Sequence, residues 1–517
     1  MYVEDKILVG CNDESSVYLL PKLANRHGLI AGATGTGKTI TIKALAESFS
    51  DMGVPVFLAD MKGDISGLAK QGEPNPNIAE RVEKYSLTEK GFNYKSYPVE
   101  FWDLFGQKGL PVRVTISEIG PTLLSRILNL TDAQEGVLNI VFRVADDESL
   151  LLIDIKDLKS MINHVTENKD KYESTYGAVS ARSSNSIIRA LLALEDQGGN
   201  EFFGEPALEL EDFIQCDDEG NGIINILDSV KLSLSPAIYS TFLLWMLSKL
   251  YETLPEVGDL DKPKFVFFFD EAHLLFNNMS PVFLQKIEQI IRLIRSKGVG
   301  LYFISQSPSD IPDTILSQLG NRIQHAIRAY TPKDQKAVKA AAESFRPNPN
   351  FDTSDEISNL AIGEALVSLL DQTGVPSIVE KVSIIPPQSY TGSIDDNYRN
   401  ELISVSIYKN KYQESFDRES AYECLLEKIE TSTEPIQESN NQIPTQQVEN
   451  NNMDFNPASN NQTIPEPKTQ RNNRTNNQNQ SRQQKSELEK IATSAANTVA
   501  RELTRQITRG LFGNLKF

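Results

Sequence analysis

An α/β fold with a mainly parallel sheet follows from three features of this sequence. Short, fully apolar runs at 28–31, 265–269 and 298–304 read as strands buried on both faces. Stretches whose apolar residues recur three and four apart lie between such runs, as the helices of βαβ units do. The first run opens into Gly32-Ala33-Thr34-Gly35-Thr36-Gly37-Lys38-Thr39 and is followed at once by a helix-forming stretch. Strand, glycine-rich loop and helix in that order make the context in which such a loop works as a P-loop.

Taken along the chain, residues 7–64 read as a short strand, the P-loop strand, a helix, and a strand at 54–59 that ends in Asp60-Met61-Lys62-Gly63-Asp64. A polar stretch with Pro74 and Pro76 follows, then strand-like runs at 97–101 and 112–116. Beyond these the period changes. Leu123, Leu124, Ile127 and Leu128, then Val137, Leu138, Ile140, Val141 and Val144, predict amphipathic helices, read as a helical insertion over about 120–200. The α/β pattern resumes with strand 222–228, helix 236–252, strand 265–269, helix 280–297 and strand 298–304, which ends in Ser305-Gln306-Ser307-Pro308. Strands at 322–329, 364–370 and 377–385 complete the sheet, so the α/β domain spans 1–395. A polar helical extension covers 396–430. Residues 431–485 are dominated by Asn, Gln, Ser, Thr and Pro, a composition that cannot repay the entropy of ordering and predicts a disordered tether. Leu488, Ile491, Ala495, Val499, Leu503 and Ile507 then restore helical spacing, so 486–517 is expected to be an amphipathic helix, docking on its own ring or else binding a membrane surface or a partner.

The chemistry is concentrated at two strand tips. In the P-loop, the residues Gly32 to Thr39 turn backbone N–H groups around phosphate oxygens. Lys38 reaches the β and γ phosphates, and the Thr39 hydroxyl helps to hold Mg²⁺ at a helix N-terminus. The run 265–269 ends in Asp270-Glu271-Ala272-His273. An acidic residue at such a tip can complete a Mg²⁺ shell, which is the role expected of Asp270. The next carboxylate can orient or deprotonate an attacking water, the role expected of Glu271. The plainer alternative is a strand followed by a solvated acidic loop.

Composition narrows the class. At 517 residues and 39% hydrophobic, the chain can bury a large core. A net charge of −19 argues against a broad electrostatic surface for nucleic acid, while leaving room for a local basic lining inside an acidic ring. Cys11, Cys216 and Cys424 lie far apart with no CxxC spacing, so neither a zinc site nor a disulfide framework is expected. The N-terminus is charged, and no apolar run is long enough to span a bilayer. A cytoplasmic protein without a transmembrane segment is the expectation.

The P-loop, the Asp60–Asp64 tip, Asp270-Glu271-Ala272-His273, Arg295-Ser296-Lys297-Gly298-Val299-Gly300-Leu301 and Ser305-Gln306-Ser307-Pro308-Ser309-Asp310-Ile311-Pro312 occur in one order. Together they resemble the HerA/FtsK superfamily of hexameric pumping ATPases, and within it the YjgR-like branch of bacterial proteins with a HerA-type helicase C-terminal domain. The resemblance covers roughly residues 5–390, with Arg509-Gly510-Leu511-Phe512-Gly513 near the C-terminus. It implies a RecA-like motor that hydrolyses ATP with Mg²⁺ at the subunit interfaces of a homo-hexamer and pulls on a polymer, DNA first among the choices. It gives Gln306 the role of a polar sensor for the γ-phosphate or the lytic water. It also implies an arginine supplied by the neighbouring subunit, for which Arg322 is the first choice and Arg328 and Arg295 the others. The stretch before the P-loop is too short for the N-terminal β-barrel of HerA proper, which is expected to be missing. A nucleotide-switched scaffold or a protein remodeler, recruiting a partner through 486–517, is the alternative.

Overall fold

The computed structural model describes residues 1–276, 279 and 281–433. The tether expected to end at 485 and the helix expected at 486–517 therefore lie outside the described residues, apart from 431–433. Residues Met1–Leu425 belong to one compact unit. Among the described residues no helix is long and apolar enough to cross a membrane.

In chain order the elements are β1 (Tyr2–Val3), β2 (Lys6–Cys11), β3 (Ser16–Leu19), β4 (Gly28–Ala31), α1 (Lys38–Asp51), β5 (Val56–Asp60), α2 (Pro76–Lys84), β6 (Val99–Asp103) and β7 (Leu110–Pro111). Helices α3 (Ile116–Ile127), α4 (Asp132–Asp147), α5 (Ile155–Glu167), α6 (Lys169–Tyr176), α7 (Ala181–Glu195) and α8 (Gly199–Phe202) follow without an intervening strand. Then come β8 (Ile224–Asp228), α9 (Pro236–Thr253), β9 (Phe265–Phe269), α10 (His273–Phe276), α11 (Pro281–Ile294), β10 (Val299–Ser305), α12 (Asp313–Leu316) and β11 (Asn321–Gln324). The remainder is α13 (Pro332–Glu343), α14 (Thr353–Asn359), β12 (Glu364–Ser368), β13 (Glu380–Ile384), α15 (Asp396–Val405), α16 (Lys409–Tyr412) and α17 (Ala421–Thr433).

One sheet holds all the strands, in the order β1-β2-β13-β12-β11-β4-β10-β9-β5-β8-β6-β7, with β3 on β2. From β11 to β7 every pairing is parallel. From β11 outward through β12, β13 and β2 every pairing is antiparallel. Both faces of the parallel part are covered, which is why β4 and β9 are apolar at every position. Along β9, Phe265, Phe267 and Phe269 enter the core shared with the helices of the 116–202 segment. Val266 and Phe268 enter the opposite core, beneath α1. Burying each such phenylalanine contributes about 2–3 kcal/mol.

The stretch 112–116, expected as a strand, is one only in part. Pairing with β6 ends at Pro111, Val114 makes an isolated bridge to Phe203, and Thr115 leaves the sheet to cap α3 through its hydroxyl, which accepts from the Glu118 N–H at 3.2 Å. The run of β-branched residues is overridden there by an N-cap. Helices α13 and α14 occupy 332–359, a stretch in which the apolar spacing marks no element.

Two buried histidines flank the central strands. His27 Nε2 donates to the Ile291 carbonyl at 2.8 Å and its Nδ1 accepts from the Leu301 N–H at 3.1 Å. His325 Nδ1 donates to the Glu364 carbonyl at 3.0 Å, so its Nε2, 2.8 Å from Thr41 Oγ1, accepts from that hydroxyl. Each ring thus has one donor and one acceptor in use and is held neutral. Burial lowers both pKa values to about 4. A histidine pKa depressed below about 6.5 in the folded state stabilises fully above that pH, and the contribution is lost as pH falls toward 4. At pH 5 the loss is about 2 kcal/mol for each ring. Urea midpoints measured at pH 7.5 and pH 5 are expected to fall accordingly, and to fall less in His27→Gln.

Candidate active site

The P-loop joins β4 to α1. Gly37 sits at φ 115°, and a Cβ there would lie 3.2 Å from the backbone of Gly363, so the position requires glycine on both counts. No side chain caps α1. Its first N–H groups are therefore left for an anion, and the helix dipole favours one there. Thr34 and Gly35 are exposed at the rim, whereas Thr36 is buried with its hydroxyl on the Ala33 carbonyl at 2.7 Å. The loop is tied to its neighbours by Gly32 N–H to Ser305 O at 3.2 Å and Ala33 N–H to Ala326 O at 2.8 Å.

Lys38 is buried and folds back on its own loop, donating to the carbonyls of Gly32 and, at 3.2 Å, of Ala33. Burial lowers its pKa, with the charge of Lys62 acting in the same direction and Glu271 and Asp270 opposing. The Thr39 hydroxyl donates to Asp64 Oδ2 at 3.2 Å. Asp64 belongs to the tip of β5, a loop shaped by Asp60, whose carboxylate accepts from the N–H groups of Lys62, Gly63 and Ile65 at 3.2, 2.7 and 3.0 Å. Burial, reinforced by Asp64, pushes Asp60 up to about 6.

Asp270 follows β9 directly. Its Oδ1 accepts from the Glu271 N–H at 3.0 Å, and its carbonyl accepts from the Tyr239 hydroxyl at 2.7 Å. Burial, and next the neighbouring Glu271 charge, push it up to about 7. Glu271 adopts φ 47°, a left-handed conformation that costs a non-glycine residue on the order of 1 kcal/mol. Its Oε2 is buried with no hydrogen-bond partner among the described residues and lies 3.5 Å from His273 Nδ1. A buried carboxylate oxygen without a donor is costly unless something that donates, such as water, comes to it.

Gln306 is exposed immediately beyond β10, the strand that separates β4 from β9. Asp310 fixes this turn by accepting from Ser305 Oγ at 2.7 Å and from the Ser307 N–H at 2.9 Å. The P-loop, Asp270 with Glu271, and Gln306 thus stand at the same C-terminal ends of three adjacent parallel strands, where ligands of open α/β sheets bind. Thr39 and Asp270 offer oxygen donors of the kind that Mg²⁺ and its waters take. Asp64 bonds Thr39, the charge of Lys62 bears on Lys38, and His325 bonds Thr41 of α1, contacts to which sequence reasoning gave no role. The only signal was the Asp60–Asp64 tip itself; nothing marked His325.

The arginines lie elsewhere. Arg322 is second in β11, paired beside Leu29 of β4 and so three residues short of Gly32 in register, whereas Arg295 precedes β10, at the N-terminal end of the strand whose C-terminal end carries Gln306. Seven residues of β10 separate those ends by roughly 20 Å. Arg322 spends its guanidinium on three carbonyls of its own chain, Leu319 at 3.1 Å, Ser344 at 2.9 Å and Leu316 at 3.1 Å. Arg328, past the other end of β11, donates to Ser358 and Leu360. Arg295 is partly exposed and pairs with Asp259 at 3.1 Å, and its charge is felt at Arg26, whose Nε is buried without a hydrogen-bond partner among the described residues.

A parallel sheet bearing a P-loop, an acidic strand tip and a polar residue on the strand between them defines a P-loop ATPase. The family described as helicase HerA-like C-terminal matches residues 5–517. The chain belongs to that family, and so to the HerA/FtsK superfamily of P-loop ATPases. It is similar to the DNA double-strand break repair helicase HerA of Sulfolobus acidocaldarius, 25% identical over 413 residues that make up 76% of this chain and 70% of the relative. The protein of the same description from Sulfurisphaera tokodaii is 23% identical over 405 residues, 76% and 70% of the two chains. Among solved structures, VirB4 of Thermoanaerobacter pseudethanolicus superposes with a TM-score of 0.48 at 17% identity, covering 74% of this chain and 96% of that one.

Proposed function

We propose that this chain is a motor that hydrolyses ATP at the interfaces of a homo-oligomeric ring, a hexamer by its family, and moves DNA or another polymer through the pore. The observation that supports it is the meeting of Lys38, Thr39, Asp270, Glu271 and Gln306 at the ends of β4, β9 and β10. On nucleotide binding Lys38 exchanges the carbonyls of Gly32 and Ala33 for the β and γ phosphates. Thr39 and Asp270 would hold Mg²⁺, which offsets phosphate charge. Glu271 accepts a hydrogen bond from the attacking water through its unpartnered oxygen and takes its proton as the oxygen–phosphorus bond forms and the bond to ADP breaks. The Gln306 amide bonds the γ-phosphate or that water without adding charge.

The arginine acting in trans is assigned to Arg295 in preference to Arg322. Arg295 lies at the end of β10 remote from its own chain's Gln306, whereas Arg322 is committed to three carbonyls of its own chain. Arg295→Ala is expected to lower turnover on the order of 100-fold or more with nucleotide affinity unchanged. Mixing it with Lys38→Ala subunits is expected to recover activity at interfaces that join an intact P-loop to an intact arginine. Arg322→Ala is instead expected to destabilise the fold by a few kcal/mol through its abandoned carbonyls. A catalytic defect in a normally stable Arg322→Ala, rescued by mixing, would return the assignment to Arg322.

The test of the motor is ATP turnover with and without double-stranded DNA across a salt series. Stimulation that fades steeply with salt is expected if the track is gripped by its phosphates. The net charge of −19 favours a second reading, a nucleotide-switched scaffold or protein remodeler that recruits its partner through 486–517. Turnover indifferent to DNA at low salt would select it.

A further inference from the structure

His325 follows β11 directly, and because Gln324 is paired with Ala31 of β4 it stands beside Gly32, the first residue of the P-loop. It is wholly buried, and it lies against both ends of that loop. We infer that His325 is a positioning residue for ATP, the post against which the phosphate loop is held in its anion-receiving shape before nucleotide arrives. The inference rests on the reading of the P-loop as a triphosphate site.

Glycines at the two ends of the loop make room for the histidine. A Cβ on Gly32 would lie 2.5 Å from His325 Cβ, and one on Gly37 would lie 3.5 Å from His325 Cε1. The first distance is a clash and the second is contact, so the histidine fills the space that side chains at both positions would need. Between these ends the amides converge on a centre that only an anion fills, and Lys38 bonds carbonyls that phosphate must displace. Gly35 and Gly37, both at positive φ, leave such a loop many other shapes, and the entropy of choosing one opposes binding. Order imposed from outside the loop is order that the ligand need not impose, and it strengthens binding.

A neutral imidazole offers this post a donor and an acceptor in one rigid plane. Nδ1 donates to the Glu364 carbonyl at the start of β12, Nε2 accepts from the Thr41 hydroxyl, and the His325 N–H donates to the Ala31 carbonyl at 2.7 Å. Thr41 lies one turn beyond Gly37 and donates its own N–H to the Gly37 carbonyl at 3.1 Å, so the ring sets the first turn of α1 against β12. From the β12 side, the Gly363 N–H donates to the Thr36 carbonyl at 3.1 Å, and Arg81 of α2 donates to the Gly363 carbonyl at 3.2 Å. The loop is thereby fixed at 32, 36 and 37 to a frame made of β11, β12 and α2. A cationic ring could not accept from Thr41, and the charge of Lys38 adds to burial in keeping the ring neutral.

Steady-state kinetics and calorimetric titration of His325→Ala in the full chain, with ATP and inorganic tripolyphosphate as probes and Mg²⁺ present, test this. Ordering of the loop acts before the chemistry, so affinity for both probes is expected to fall about tenfold, KM to rise to match, and kcat to stay within about threefold of the parent. His325→Gln, whose amide oxygen can still accept from Thr41, is expected to regain most of the loss. Thr41→Val keeps the shape of the threonine without its hydroxyl; it is expected to weaken both probes about threefold, and its loss is not expected to add to that of His325→Ala. A stable His325→Ala that binds both probes as the parent does overturns the inference and leaves the histidine a core residue. A fall in kcat at unchanged KM overturns it too, as does a loss confined to ATP. If His325→Ala fails to fold, Thr41→Val decides, and unchanged tripolyphosphate affinity there overturns the inference. A parent that binds neither ATP nor tripolyphosphate overturns the triphosphate reading itself, and this inference with it.

Discussion

Lys38→Ala is expected to abolish ATP hydrolysis, with a fall in turnover on the order of 1,000-fold or more. Lys38 is the one ammonium that the P-loop itself carries, and it is poised on two loop carbonyls that phosphates can displace. Its surroundings already disfavour a bare charge, since burial and Lys62 both lower its pKa. A polyanion removes that penalty, so the lysine gains more from bound phosphate than an exposed lysine would. Alanine leaves the carbonyls of Gly32 and Ala33 facing the phosphates with no cation between them. The folded state should survive, because the ammonium bonds carbonyls of its own loop and ties no other element to it. Turnover at the parent rate in purified Lys38→Ala would refute the assignment of the P-loop.

Glu271→Gln is expected to keep ATP binding and to lose turnover by about 100- to 10,000-fold, the range for removing a positioned general base. The amide preserves shape, yet it cannot take a proton, and half the time it would present N–H where Oε2 now offers a lone pair. Asp270→Asn should act differently. It removes a charge from the Mg²⁺ donor set proposed for Thr39 and Asp270 and so is expected to weaken Mg²⁺-dependent nucleotide binding. Direct binding measurements with and without Mg²⁺ separate the two. Equal affinity losses in both variants would contradict the division of roles.

The parallel half of the sheet was legible because burial on both faces writes the same uninterrupted apolar runs into β4, β9 and β10 that the structure shows at full burial. The antiparallel half was legible only as strands. Its pairing of β13 with β2 joins residues 372 apart in the chain, Ser383 with Cys11, and no local pattern reports such a partner. Helices α2 and α13 announce themselves by Asn75-Pro76 and Thr331-Pro332, a cap followed by proline at the first helical position. Their apolar stripes are short, with only Ile78 buried in α2 and Val338 and Ala341 in α13. At the site, the acidic tip of β9 and the polar tip of β10 could be read as strand ends. Contacts such as Thr39 with Asp64 and Thr41 with His325 could not, since they join side chains 25 and 284 residues apart.

Strand β9, clamped by phenylalanines on one face and by Val266 and Phe268 on the other, carries Asp270 and Glu271 on a foundation that has little freedom to shift. A mechanochemical cycle built on such a tip cannot take its stroke from the acidic dyad, which must stay in place while charge builds and disperses. Travel would fall to elements hung more loosely around the nucleotide, such as the β5 tip that reaches Thr39 and helix α2 that leans on Gly363. Chemistry on a fixed anvil and displacement in its surrounding loops would then be separable functions, open to being tuned by different residues.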